Sequence, residues 1–358
     1  MKLRGLVSAG LDEMVGLGSR ALFLIANESE ASFGRLDRYR RAGHARLFPA
    51  PTEPRVTARK RWSLGGLVGE ELRFRSSYRP IDDEFRRLWE HEYGECVIAS
   101  ARRVRHLDGR RRPTLLYLHG WLQPETAMEE AFVLTQLALR LDLDVVQLQP
   151  PYHGRRRPRA SRFSGELYLS ADLLRTLEAI RQNVIEAREL TSWLIASGHG
   201  PVGVTGLSMG GVLTLGLAAL DERYAFAAPM VAHLDLGAVI GDGPALAPVR
   251  AALARHGWSP RQVTELMGSL GWNDLQPVVP PERQMWVAAR YDRFFRPRKV
   301  RALWERWGKP EIYWYEGGHM EIATHLWSAV TRLGAFLEHV PLCEPGASRP
   351  ARAARAKR

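Results

Sequence analysis

From about residue 96 onward, short apolar runs alternate with polar turns along the chain. Cys96–Ser100, Leu115–His119, Asp144–Leu148, Val202–Thr205, Ala225–Val231, Met285–Ala289 and Glu311–Tyr315 have the length and bounded character of strands. Between them, Glu129–Leu141 and Leu173–Ser197 carry apolar residues at helical spacing, the second as one long amphipathic helix. Strands alternating with helices predict an α/β fold, a mostly parallel sheet with helices on both faces. From Leu236 to Pro281 the alternation gives way to glycine-rich and helical stretches such as Leu246–His256 and Arg261–Leu270. Residues 236–281 are therefore a candidate lid before the penultimate strand, although surface helices alone account for the pattern nearly as well.

Residues 1–95 read less regularly and are expected to form an extension ahead of a catalytic domain at 96–342. Leu6, Leu11, Val15, Leu22, Phe23 and Leu24 fall at roughly helical spacing. They suggest an amphipathic helix, either packed on the main body or lying at a membrane surface. Pro49, Pro51 and Pro54 mark a linker before residues suited to early strands. The tail, 343–358, is rich in arginine, alanine and proline and is expected to be disordered.

Composition narrows the class. A chain of 358 residues with 45% hydrophobic and 25% charged residues can bury a full core and is ordinary for a globular protein. Cys96 and Cys343 stand far apart, in neither a metal-binding nor a disulfide pattern, so a reducing cytoplasm is expected and no metal or cofactor. The net charge of +12 comes almost wholly from arginine, since lysine occurs only at positions 2, 60, 299, 309 and 357. No interleaved aromatic-basic signature accompanies it, so nucleic acid is not an expected partner. The opening Met1-Lys2-Leu3-Arg4 imitates a signal peptide, but Asp12 and Glu13 interrupt what would be its apolar core. No window reaches the ~18 apolar residues of a spanning helix. The expectation is a cytoplasmic protein, with peripheral membrane contact through the N-terminal helix as the variant.

The chemistry concentrates at Val202-Gly203-Val204-Thr205-Gly206-Leu207-Ser208-Met209-Gly210-Gly211. Gly-x-Ser-x-Gly between a strand and a helix thrusts the serine out at a strained turn, where flanking side chains would collide. The following helix points its first amides at the place where negative charge develops. Such a hydroxyl needs a base, and Tyr315-Glu316-Gly317-Gly318-His319 supplies one after the last core strand. The acid is expected at Asp292, after Met285–Ala289, with Asp235 as the competitor one strand earlier. The oxyanion donors are expected to be the amides of Met209 and of Trp121, which follows Leu115–His119 and Gly120. His119 is expected to shape that loop and not to titrate.

Together these residues resemble the α/β-hydrolase superfamily over roughly residues 96–342. Gln149-Pro150-Pro151-Tyr152-His153-Gly154-Arg155-Arg156-Arg157-Pro158 and Gly200–Gly211 look more narrowly like a branch whose eukaryotic members are named abhydrolase domain-containing proteins. That resemblance implies hydrolysis of a small-molecule or lipid-like ester. The expectation is a serine hydrolase working through an acyl-enzyme on Ser208, with Asp292 and His319 completing the triad. Tyr152, His153 and Arg155 are expected to border the substrate, since ligands bind beyond the carboxyl ends of strands. The arginines of 155–162 could grip an anionic group there, a solvated face being the plainer reading. A non-catalytic binding protein, or an acyltransferase or peptidase with the same triad, remains open.

Overall fold

All five residues of Thr114–Leu118 are buried, as in a strand covered on both faces. The computed structural model, which describes residues 7–8, 10–14, 33–123 and 129–342, places this strand, β4, near the middle of a nine-stranded sheet. The other strands are β1 (Thr57–Leu64), β2 (Leu67–Arg75), β3 (Ile98–His106), β5 (Asp144–Leu148), β6 (Val202–Leu207), β7 (Tyr224–Met230), β8 (Met285–Ala289) and β9 (Glu311–Tyr315). Their order is β1-β2-β3-β5-β4-β6-β7-β8-β9. The strands from β5 to β9 pair in parallel, whereas β1, β2 and β3 form an antiparallel wing joined to β5. β1 is the edge, and its mostly exposed residues include Arg59, Lys60 and Arg61, charges that discourage pairing with another chain.

The wing straddles the expected boundary at residue 95. β1 and β2 lie before it yet belong to the same sheet as the rest. The segment between them and the elbow is equally integral. Helix Leu173–Ala196 runs 24 residues and is buried along nearly all of its length, its charged residues included. The expected amphipathic character is absent because residues 36–93 cover what would be its wet face. Arg181 and Arg188 donate to the carbonyls of Leu47 and Pro49 at 3.0 and 2.8 Å. Tyr78 donates to Glu178 at 2.8 Å and Thr52 to Glu189 at 2.9 Å. Charges that read as solvated are paired inside, as burial requires.

The stretch 236–281 forms helices Leu236–Asp242, Ala247–Arg255 and Pro260–Ser269. They bury Val249, Leu253, Val263 and Leu266 in the same cluster as the central sheet. Trp272 seats its ring against Gly216 of helix Met209–Leu220. The insertion thus has a packed face of its own.

Of the expected N-terminal amphipathic helix, Leu6, Val15, Leu22, Phe23 and Leu24 lie outside the described residues, as does the tail 343–358. Residues 7–8 and 10–14 are helical. Ser8 and Asp12 are buried, whereas Val7, Leu11 and Met14 are exposed.

Candidate active site

β6 ends at Leu207 and helix Met209–Leu220 begins two residues later, leaving Ser208 to make the whole turn. It does so at φ 57° and ψ −114°, a region that L-residues with side chains rarely occupy. Local bonds hold it there: its amide donates to Met230 of β7 at 3.0 Å, and its carbonyl accepts from Val212 at 3.0 Å. The sharpness of the turn explains the glycines. A Cβ at Gly206 would lie 2.3 Å from the Gly210 carbonyl oxygen, and one at Gly210 would lie 1.9 Å from that of Leu118.

His319 follows β9 and Asp292 follows β8. The ring of His319 brings its Nε2 to 3.0 Å from Ser208 Oγ and its Nδ1 to 2.9 Å from Asp292 Oδ2. Asp292 is itself fixed, its other oxygen accepting the amides of Phe294 and Phe295, each at 2.7 Å. The rings of those two phenylalanines flank the imidazole with centroids 4.8 and 5.5 Å away. Burial alone would depress the imidazole pKa, but the charge of Asp292, its hydrogen bond and the charge of Asp12 outweigh it. The His319 pKa is therefore raised above its ordinary value.

Asp235 plays another part. Its Oδ1 accepts from the Ala238 amide, capping helix Leu236–Asp242, and from the Thr264 hydroxyl. Its Oδ2 accepts from Lys299 at 2.9 Å.

The expected oxyanion donors are Met209 and Trp121. Met209 opens the helix after it. Gly120, preceding Trp121, lies close enough that a Cβ there would stand 3.8 Å from that of Ser208. Trp121 is anchored by its indole, which donates to the Gly165 carbonyl at 2.8 Å. His119 is buried, with Nδ1 2.7 Å from the Gly120 carbonyl, and burial pushes its pKa down to about 4.

The expected substrate-bordering residues are Tyr152, His153 and Arg155. Tyr152 and His153 are buried, Tyr152 edge-on to Tyr93 and His153 edge-on to His119 and Tyr168. His153 is held neutral, its pKa pushed down to about 3 by burial and then by His119. His153 thus packs against His119, which precedes Gly120 and Trp121. Arg155 pairs at 3.0 Å with Glu71 of β2, four strands from β6 in the sheet order. Its neighbours are engaged too: Arg156 with Glu186, Arg162 with Glu166, and Arg157 with the Arg162 carbonyl. These four arginines are thus held by partners within the protein.

Among the described residues no group of histidines, cysteines and carboxylates could hold a metal. Cys96 is buried, its thiol pushed up to about 12 by burial, and Cys343 lies outside the described residues. No described helix is long and apolar enough to cross a membrane.

Sequence reading missed Asp12, whose carboxylate accepts the amides of His319, Met320 and Arg293. A lone aspartate some three hundred residues upstream carries no local signal of that contact. Phe294 and Phe295 were legible as an aromatic pair after the acid, but their packing on His319 was not.

The family model described as "Alpha/beta hydrolase domain containing 18" matches residues 34–244. The match starts well before the expected residue 96, in keeping with β1 and β2 in the sheet. An uncharacterized protein of Mycobacterium tuberculosis is 33% identical over 218 residues, which cover 58% of this chain and 50% of that protein. The chain thus spans about half the length of the curated relatives it matches. Among solved structures, an acetyl xylan esterase from a Paenibacillus species superposes with a TM-score of 0.57 at 15% identity, covering 88% of this chain and 98% of its own. A cold-adapted esterase from an Arctic intertidal metagenomic library gives 0.52 at 14% identity, over 80% and 99% of the two chains. At such identities the likeness is one of fold.

Proposed function

The chain belongs to the family described as alpha/beta hydrolase domain containing 18, and from that premise we propose that it is a serine hydrolase cleaving a carboxylic ester. The observation carrying this reading is the unbroken contact from Ser208 through His319 to Asp292, with both links at hydrogen-bond length. Ser208 Oγ attacks the ester carbonyl carbon while His319 Nε2 takes its proton. The carbonyl oxygen becomes an oxyanion, which the Met209 and Trp121 amides stabilise in this reading. Collapse of that intermediate expels the alcohol, which leaves with the proton from His319. Water, deprotonated by the same imidazole, then releases the acid and restores Ser208. Asp292 keeps the ring oriented and stabilises its cation through both steps.

Helix Met209–Leu220 adds the positive end of its dipole beneath the serine. Phe294 and Phe295 line the ring with apolar surface, which strengthens charge interactions at the site. No cofactor enters this scheme. The substrate proposed is a small-molecule or lipid-like ester.

A chain-length series of p-nitrophenyl esters tests the reading. The wild type is expected to turn over one or more of them, and Ser208→Ala to retain at most the residual rate left by binding and the oxyanion donors, ~10³–10⁴-fold over water. Hydrolysis by Ser208→Ala at the wild-type rate would assign the reaction elsewhere.

A further inference from the structure

The N-terminal helical residues 7–8 and 10–14 lie against the active site in an unusual way. Their apolar side chains Val7, Leu11 and Met14 are turned outward, and Ser8 and Asp12 inward. Burial of those apolar side chains therefore does little to dock this segment. Its inward contact is polar, and Asp12 is the centre of it. Asp12 Oδ2 accepts the amide of His319 at 2.9 Å and that of Arg293 at 3.2 Å, and its Oδ1 accepts the amide of Met320 at 3.0 Å. Outside these, Glu13 pairs with the Arg293 guanidinium at 2.8 Å.

Those three amides belong to two loops. Arg293 follows the acid Asp292 directly, and His319 is the base. The loops also meet further back, where Tyr291 donates to the Gly317 carbonyl at 3.0 Å, so Asp12 joins their outer ends. Gly318 records the same approach: a Cβ there would fall 2.9 Å from the Ser8 carbonyl oxygen and 3.0 Å from the Asp12 carboxylate. The glycine before the base therefore admits the N-terminal helix, beyond merely letting its loop turn back. Three donors converging on one carboxylate suit its ionised form, even though burial raises its pKa against the pull of those amides.

We propose that Asp12 is a positioning residue for the base, a carboxylate that ties the acid loop to the histidine loop by their backbone amides and so holds His319 in register with Ser208. The inference rests on the reading of Ser208 and His319 as the reacting pair. It makes the N-terminal segment part of the active-site scaffold. The physical demand is stringent, because a misplacement of about 1 Å at a reacting group can cost about a hundredfold in rate.

The test compares full-length Asp12→Ala, Asp12→Asn and Glu13→Ala, each assayed well below its unfolding midpoint. Asp12→Ala is expected to lower kcat by about 10- to 100-fold with KM little changed, because geometry is lost and not substrate affinity. Asp12→Asn, which keeps one acceptor oxygen, should fall between it and the wild type. Glu13→Ala, which removes only the outer pair, should stay within about twofold. A second readout, which reports the Asp12 charge at the base, is the acid limb of kcat/KM. The charged groups acting on His319 are Asp292 and Asp12, so removing one negative charge should move that limb to lower pH. A merely structural role would lower the folded fraction and leave kcat per folded molecule unchanged. Full kcat in folded Asp12→Ala, or an unmoved limb, would overturn the proposal.

If Asp12→Ala does not fold, amide hydrogen exchange of the wild type decides. Protection is expected at His319 and Met320, and exchange at the rate of an open loop overturns the contact. Failure of the underlying reading looks different: a folded wild type that hydrolyses no ester, whatever its exchange pattern.

Discussion

Ser208 occupies a backbone region that typically costs about 1–3 kcal/mol, and the bonds from Met230 and Val212 hold it there. Around it the acid can be assigned by bonding. Asp292 reaches the imidazole, whereas Asp235 caps a helix and pairs with Lys299. Asp292→Asn should lower turnover by roughly two to four orders of magnitude, because the amide can hold the wrong tautomer. Asp235→Asn should cost under about tenfold in turnover and, through the weakened cap and ion pair, about 1 kcal/mol of stability. Steady-state kinetics and urea unfolding of the two variants check this, and the reverse ranking would transfer the acid to Asp235. The base must be neutral to act, and its pKa is raised. Activity should therefore fall as pH drops through a midpoint above the ordinary imidazole value of about 6.5, with kcat/KM against pH as the measurement. Most of this site was legible in the sequence. Gly-x-Ser-x-Gly, the late histidine and the aspartate between them are held together by strand order, so their sequence positions foretold their meeting. Asp12 was not legible, because its contact depends on where a distant segment docks.

At the scale of elements, buried charge separates what could be read from what could not. Arg156 lies fully inside, forked onto Glu186 at 2.6 and 2.7 Å with further bonds to the Gln149 and Cys96 carbonyls. Arg155, its neighbour, is half exposed on Glu71. In the sequence they are two members of one arginine run, and no periodicity distinguishes them. Their substitution should differ sharply. Arg156→Met strands Glu186 as a buried charge and should cost about 3–5 kcal/mol in urea unfolding. Arg155→Ala should cost under about 1 kcal/mol, since an exposed pair is screened and Glu71 keeps Arg59 at 2.8 Å. The Arg155→Ala/Arg157→Ala double variant should also leave any preference between neutral and anionic esters unchanged. A lost preference for anionic esters would return these side chains to the substrate. Helix Leu173–Ala196 repeats the lesson, since its six buried arginines and glutamates imitate a wet face until their partners are placed.

For the molecule as a whole, the family match over 34–244 and the proposed reacting residues do not coincide. Ser208 lies inside it, whereas Asp292 and His319 lie beyond its end. A fragment of 34–244 would also lack β8 and β9, leaving buried β7 as an open edge. Such an edge invites association between chains, so the fragment should aggregate in size-exclusion chromatography and show no esterase activity. The parallel half of the sheet was readable because each of its strands is a short apolar run between turns. Of the antiparallel wing, β3 was read in part as Cys96–Ser100, and β1 and β2 only as residues suited to early strands, because β1 is exposed and charged, and β2 buries Glu70 and Glu71 against arginines. What unites these scales is the nucleophile proposed at the end of β6. The most direct test is a fluorophosphonate probe applied to the full-length protein, with the modified peptide identified by mass spectrometry. The account predicts an adduct on Ser208, lost in Ser208→Ala and after prior unfolding. A folded protein that leaves Ser208 unmodified while it hydrolyses esters would contradict it.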